Sequence, residues 1–364
     1  MSTPGSSSAA GQVPAGDLRV GVIGAGRIGQ LHARLLASEV PGASLAAVAD
    51  VVPELAAQLA GSLGVPAMTA GEMMTADDID AVAICSPTPT HVELIIEATG
   101  SKKAIFCEKP ISLELAEVDR ALAAVSQAGA QLMVGFNRRF DPSHAAVRQA
   151  VASGSVGAPH LVRITSRDPS PPPMSYARVS GGIFLDMTIH DFDMARYVVG
   201  SEVAKVYALG AVRVEPELAE IGDVDTAGVA LSHADGCITL IDNSRKATYG
   251  YDQRVEVHGA KAMAASGNPL VDTAFYRDGS GTRAATLPYF FLERYMESYR
   301  RQWRAFVEAV VAGHEVPTTG ADGRAALVVG LAAKLSLAEG RPVPVDEVSS
   351  WPQVGRGALR TSGE

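Results

Sequence analysis

From Leu18 to about Phe140, short apolar runs alternate with stretches whose apolar positions recur at helical spacing. The runs Arg19–Ile23, Leu45–Ala49, Ala81–Cys85, Ala104–Cys107 and Leu132–Phe136 predict strands, with a shorter one near Ala67. Between them, Arg27–Ala37, Pro53–Leu63, His91–Thr99 and Leu113–Gln127 predict helices. Strands with no polar face are buried on both sides, which a parallel, doubly wound sheet requires. Right-handed crossovers put the ligand crevice of such a sheet at the carboxyl ends of its strands. Polar clusters stand at three of those ends: Ser86, Glu108-Lys109 and Asn137-Arg138-Arg139.

Past Phe140 the pattern changes. A helix over Ser143–Ala152 precedes a β-like run (His160–Ser166) and a Pro-rich loop from Asp168 to Met174. A second helix starts around Thr188 and stops at Gly200. Then come long β-runs at Val203–Val214, Thr226–Ser232, Cys237–Asn243 and Arg254–His258, with the hairpin signal Asp235-Gly236 between two of them. Helices over Phe290–Val311 and Ala321–Leu337 close the pattern. Consecutive strands without intervening helices predict an open, mainly antiparallel sheet, one face for helices and the other free for a ligand or a partner subunit. The expected plan is α/β: residues 17–140 as a nucleotide-binding domain, 141–350 as a substrate-binding and oligomerisation domain, and tails at 1–16 and 351–364.

Length and composition narrow the classes. At 364 residues, two domains are expected. A net charge of −9 argues against nucleic acid or an anionic membrane surface as partner. Cys85, Cys107 and Cys237 lie in apolar runs without C-x-x-C spacing, and read as core residues of a reducing compartment. Met1–Gly16 is rich in Ser, Gly, Ala and Pro, with neither basic nor apolar region of a signal peptide; a disordered tail and a cytoplasmic location are expected.

The chemistry is most legible at the first strand. Gly24-x-Gly26-x-x-Gly29 joins an apolar strand to an amphipathic helix, and the next strand ends in Asp50. Gly24 permits the tight turn, Gly26 lets backbone approach a pyrophosphate, and Gly29 lets helix pack on strand. The helix N-terminus offers free N–H groups to the anion, and Asp50 can accept from both adenosine-ribose hydroxyls. A carboxylate there repels a 2′-phosphate, so NAD is expected over NADP.

Two further signals carry acid–base chemistry. Lys109, in Glu108-Lys109-Pro110, can hydrogen-bond a substrate hydroxyl and stabilise its oxyanion, with an X-Pro bond that is a candidate for cis. Read alone, it fits an exposed turn lysine equally well. In Asp186-Met-Thr-Ile-His190, i and i+4 share a helix face, so the carboxylate can orient an imidazole that takes the hydroxyl proton as hydride leaves. Read alone, Asp186 also fits a helix cap and His190 a satisfied buried histidine. His32 and His91 read as packing residues near the cofactor or residues behind it, and no cluster has metal-ligand spacing.

Taken together, these residues resemble the glucose–fructose oxidoreductase/inositol dehydrogenase/rhizopine catabolism (Gfo/Idh/MocA) family from Leu18 to about Val345. The carriers are Gly24–His32, Ser86-Pro-Thr-Pro-Thr-His91, Glu108-Lys109-Pro110, Gly135-Phe-Asn-Arg-Arg-Phe-Asp141 and Gly182–Asp191. The resemblance implies a Rossmann domain with Gly24, Gly26, Arg27, Ile28, Gly29, Asp50, Ser86, Thr88, His91, Glu108 and Lys109 at the cofactor. It implies Lys109, Asp186 and His190 as the catalytic trio, His190 being the base. Asn137 and one of Arg138 and Arg139 would face the sugar, Arg139 being preferred. The stretches Ser166–Pro173, Ser180–Asp193 and Asn243–Asp252 look most like inositol 2-dehydrogenases, and Asp168, Tyr251 and Tyr295 are suitable types for the hydroxyls of a cyclitol. Implied too are homodimers or tetramers, and NAD-dependent oxidation of a cyclitol such as myo-inositol. A sugar or aminocyclitol dehydrogenase, or a protein retaining NAD without net turnover, are the competing readings.

Overall fold

The computed structural model describes residues 17–349; the tails read at 1–16 and 351–364 lie outside the described residues. The first half runs β1 (Leu18–Ile23), α1 (Arg27–Ser38), β2 (Ala43–Ala49), α2 (Pro53–Leu63), α3 (Ala70–Thr75), β3 (Ala81–Ile84), α4 (His91–Gly100), β4 (Ala104–Cys107), α5 (Leu115–Ala128) and β5 (Leu132–Val134). Its strands form a parallel sheet in the order β2-β1-β3-β4-β5. Every residue of β3, β4 and β5 is buried, as their unbroken apolar runs require. The strand expected near Ala67 is reduced to one parallel bridge with Val48. Order reverses at β1/β3, which opens the crevice at their carboxyl ends.

The second half comprises α6 (Pro142–Ala152), β6 (Pro159–Arg167), α7 (Met174–Ala177), α8 (Ile183–Asp186), α9 (Ile189–Val199), β7 (Val203–Ala211), β8 (Thr226–His233), β9 (Ile238–Ser244), β10 (Asp252–Gly259), β11 (Met263–Ser266), β12 (Phe275–Asp278), β13 (Gly281–Ala284), α10 (Phe291–Ala312), α11 (Gly320–Glu339), β14 (Val343–Pro344) and α12 (Val345–Ser349). Seven strands pair as β11-β10-β6-β9-β8-β7-β14, antiparallel except for β6 with β9. Along β8, buried Ala227, Val229 and Leu231 alternate with more exposed Gly228, Ala230 and Ser232, so helices cover one face only.

Two local features depart from the sequence pattern. The run expected to continue to Val214 stops at Ala211, because the N–H groups of Arg213, Val214 and Glu215 all donate to the Asp225 carboxylate at 2.7–2.9 Å. An exposed β12–β13 hairpin, not expected from the sequence, follows β11.

Helix α10 returns to the first sheet. Its Tyr295, Tyr299, Trp303 and Phe306 share a core with Val20, Val22 and Phe106, and the Trp303 ring stacks on Phe106 at 4.7 Å. Helix α11 joins both halves, with Leu327 beside Val134 in one core and Val329 beside Val206 in another. Both sheets are therefore locked around the cleft between them. Among the described residues no helix is long and apolar enough to cross a membrane.

Candidate active site

The cradle begins where β1 ends. Gly24 has φ +107°, and a Cβ there would lie 2.6 Å from the Cys85 carbonyl carbon. A Cβ on Gly29 would lie 1.8 Å from the Gly24 oxygen, whereas one on Gly26 would meet nothing within 4 Å. Turn and helix thus need their glycines for packing, and Gly26 alone faces open space of the kind a pyrophosphate fills. The first bond into α1 is from Gln30 N–H to Gly26 O at 2.9 Å, which leaves the preceding N–H groups at the helix start for an anion. The Arg27 guanidinium lies 5.4 Å from the Phe290 ring, and Ile28 packs on the core.

Asp50 does more than the sequence reading gave it. Its Oδ2 accepts the Ala25 N–H at 2.7 Å and its Oδ1 the Val52 N–H at 2.9 Å. The carboxylate therefore clips the glycine turn to the end of β2, and each oxygen keeps lone-pair capacity for a ribose hydroxyl.

At the other strand ends the protein ties its own backbone together. Ser86 Oγ is 2.6 Å from Thr90 Oγ1, in the turn that holds Thr88. The resemblance puts His91 at the cofactor's ribose and nicotinamide side, while its own pattern reads as a packing residue behind it. The second holds: it is 1% exposed, with Nε2 2.8 Å from Ser86 O and Nδ1 2.9 Å from Pro110 O. It braces the ends of β3 and β4 from behind. Burial also holds its pKa below the ordinary histidine range. Trp303 N–H donates to His32 Nδ1 at 2.9 Å, so the His32 proton sits on Nε2 and is given to Glu108 Oε1, also at 2.9 Å. Glu108 Oε2 accepts the Lys109 N–H at 3.3 Å, so this carboxylate is committed to the protein.

The Lys109–Pro110 bond is cis. The Lys109 ammonium donates to the Asp186 carbonyl at 2.8 Å and lies 3.6 Å from Asp186 Oδ1. That oxygen also accepts the Tyr176 hydroxyl at 2.8 Å, while Arg245 Nη1 is 3.4 Å from Oδ2. The expected hydrogen bond from Asp186 to His190 is absent among the described residues. The i, i+4 argument assumed one continuous helix, but α8 ends at Asp186 and α9 begins at Ile189, so the pair does not share a helix face. His190 Nδ1 is buried without a partner, beside the Phe136 ring. Desolvation, and then the charges of Lys109 and Arg138, hold its pKa well below the usual value. That environment favours the uncharged imidazole over the imidazolium.

The adjacent arginines exchange the places expected for them. Arg138 turns to the cleft, donating from Nη1 to Asp191 Oδ1 at 2.6 Å and to Ser166 Oγ at 2.9 Å, below the Tyr295 ring. Arg139 leaves the cleft for Asp193 at 2.5 Å and Asp322 at 2.8 Å. In a continuing strand, alternation would turn only one of the two arginines inward, but β5 ends at Val134 and Asn137–Phe140 form a 3-10 turn, which rotates the faces. Asn137 is buried with Nδ2 unpartnered.

Asp168 accepts no side-chain hydrogen bond among the described residues. Burial pushes its pKa up to about 6 against the opposing charges of Arg245 and Arg138. Tyr251 and Tyr295 meet edge to face at 6.0 Å, and burial pushes the Tyr295 phenol up to about 12. Sequence reasoning missed Tyr176 and Arg245 as site residues. Tyr176 follows the Pro-rich loop with no motif around it, while Arg245 stood inside the quoted Asn243–Asp252 stretch.

A glycine-lined cradle beneath a cleft of titrating groups from two halves is the plan of a two-domain, dinucleotide-dependent oxidoreductase. Residues 18–136 match the oxidoreductase family with an NAD-binding Rossmann fold, and residues 144–265 the GFO/IDH/MocA C-terminal domain. The chain belongs to the Gfo/Idh/MocA oxidoreductases and carries their NAD-binding domain. It is 48% identical over 333 residues to a myo-inositol 2-dehydrogenase of Thermotoga maritima, covering 91% of this chain and 99% of that one. It is 46% identical to an inositol 2-dehydrogenase of Rhizobium meliloti, covering 90% and 99%. A Lactobacillus casei scyllo-inositol dehydrogenase, solved with NAD(H) and scyllo-inositol, superposes with TM-score 0.84 at 30% identity, covering 91% and 99%.

Proposed function

We propose that the protein is an NAD-dependent inositol 2-dehydrogenase that oxidises a secondary alcohol of myo-inositol or a close relative to the ketone. The observation that carries this is the placing of a Lys109 ammonium held by the Asp186 carbonyl at 2.8 Å and an unpartnered His190 Nδ1 on residues drawn from separate halves. The relatives' inositol dehydrogenase names support the substrate class. NAD, when bound, supplies the hydride acceptor. His190 takes the hydroxyl proton as the C–H pair departs as hydride, so the substrate loses one proton and one hydride and a C=O forms. Lys109 stabilises the oxygen on which negative charge develops. Asp186 serves Lys109 in this scheme rather than the imidazole. Arg138, Asn137 and Asp168 offer donors and an acceptor to the remaining ring hydroxyls, which discriminate strongly when left unpaired.

The two-domain division at about residue 140 belongs to the same reading, with α10 acting as a strap back onto the nucleotide half. We assign self-association to the outer face of the large sheet, where Leu209, Ile238 and Leu240 are exposed. Sedimentation at micromolar concentration should give a dimer or tetramer; a monomer overturns that assignment. Absorbance growth at 340 nm with NAD and myo-inositol tests the activity. No growth with any inositol, sugar or aminocyclitol overturns it.

A further inference from the structure

The proposed chemistry gives no role to Arg245, a buried cation beside Asp186. Arg245 immediately follows β9, is 1% exposed, and is fixed by its N–H to Asp225 O at 2.8 Å. Its Nη1 lies 3.4 Å from Asp186 Oδ2 and its Nη2 3.8 Å from Asp223 Oδ2. Nε, Nη2 and that Asp223 oxygen are all buried without a hydrogen bond. The other Asp223 oxygen accepts the N–H of Ile183 at 2.9 Å, at the first residue of α8. Asp186 is the last residue of the same single-turn helix. The guanidinium therefore reaches both ends of α8: the aspartate that holds its start and the carboxylate at its finish.

Stability does not explain such a residue. A buried guanidinium with unpaired donors is costly, and apolar replacements of buried ion pairs are often neutral or favourable. We propose that Arg245 is a positioning residue that anchors Asp186 through Oδ2, leaving Oδ1 and the main-chain carbonyl to set the direction of the Lys109 ammonium. This rests on the reading in which Lys109 polarises the substrate oxygen. Oδ1 already takes the Tyr176 hydroxyl and stands 3.6 Å from Lys109, so the ammonium is shared with the carboxylate rather than captured by it. With Oδ2 released, the carboxylate is free to rotate, close on Lys109 and draw the ammonium off the substrate. Arg245 acts on Asp168 as well: its charge opposes the burial that raises that carboxyl. The charged and titrating groups around this cluster come from several elements: Glu108 and Lys109 after β4, Arg138 after β5, Asp168 after β6, Tyr176 on α7, Asp191 on α9, Asp223 before β8 and Tyr251 before β10.

The experiment compares Arg245→Gln, Arg245→Lys and Lys109→Ala in the full chain. It uses steady-state NAD reduction with myo-inositol from pH 5.5 to 9, NAD binding by fluorescence, and thermal melting. Arg245→Gln should lower kcat by about 10- to 100-fold, the scale of a small misplacement of a reacting group, with the NAD Kd unchanged. Its acid limb in kcat/KM should move to higher pH, because the charge favouring ionised Asp168 is gone. Arg245→Lys should keep the wild-type acid limb, with a kcat between wild type and Gln. Wild-type kcat and acid limb in the Gln variant, or equal loss of kcat and melting temperature in both variants, overturns the proposal. Should the Gln variant not fold, wild-type kcat in the Lys variant overturns it alone. Wild-type turnover in Lys109→Ala sinks the underlying reading instead. Loss there with an unaffected Arg245→Gln sinks only this inference.

Discussion

Replacing Arg138 and Arg139 one at a time by Met separates a residue that faces substrate from one that holds the fold. Arg138→Met leaves Asp191, 0% exposed, without the cation that stands 2.6 Å from its Oδ1. Breaking a buried pair from one side costs about 3–5 kcal/mol. Asp191 keeps the Ser166 hydroxyl at 2.5 Å and the Asn243 amide at 2.8 Å, which places the loss near the lower bound, about 3 kcal/mol. With an unfolding entropy of about 2.1 cal/mol/K per residue over the 364-residue chain, each kcal/mol is worth about 1.3 °C, and the melting temperature falls by about 4 °C. Arg139→Met strips Asp193 and Asp322 of a comparable partner, although Arg196 remains 3.9 Å from Asp193, so its melting temperature falls similarly. Stability alone does not tell the two apart. Kinetics does, because a charged hydrogen bond to a substrate hydroxyl is worth about 1.5–3 kcal/mol, or roughly 10- to 150-fold in kcat/KM. Only Arg138→Met should show that loss in NADH formation at 340 nm, measured well below either melting point. The same variant removes one of the two charges that oppose the burial of Asp168, so the acid limb set by that carboxyl moves to higher pH. A larger kcat/KM loss in Arg139→Met than in Arg138→Met refutes the assignment.

His190→Ala and Lys109→Ala should each lower kcat on the order of 10²-fold or more while NAD binding survives. Wild-type turnover in His190→Ala rejects that side chain as base. Asp50→Ser should weaken NAD binding and loosen the turn that Asp50 clips, so a melting shift without NAD is expected alongside the higher Kd. An unchanged Kd, measured by fluorescence titration, is incompatible with a ribose-binding role. Acid should destabilise the fold through His144, whose pKa burial lowers to about 4. The unfolded chain binds that proton near pH 6.5 and the folded chain does not. Its contribution is therefore complete above pH 6.5 and is lost progressively as pH falls toward 4. Urea unfolding at pH 7 and pH 5 should show a smaller acid loss in His144→Gln than in the wild type, and equal losses would refute the argument.

What the sequence carried, and what it withheld, follows from the range of the physics. The Rossmann half was legible almost element by element, because burial on both faces forces unbroken apolar runs and the glycines are required by contacts only a few residues away. Asp50 was legible for the same reason: its ligand-facing position is set by strand length alone. The Asp186–His190 bond failed because spacing implies contact only if backbone geometry stays regular, and a break at Met187-Thr188 was invisible in the residue types. The choice between Arg138 and Arg139 failed for a related reason, since one 3-10 turn reverses a strand's alternation. Arg245 and Tyr176 were missed on different grounds: both reach Asp186 across long sequence separations, and no local pattern marks either. The residues proposed to handle the proton and the developing oxyanion sit where local rules announce them, while those proposed to aim them are joined only by the tertiary fold. A cleft between two sheets makes that division unavoidable, because each lobe specifies its own backbone but the charges at the seam are balanced only after the lobes meet.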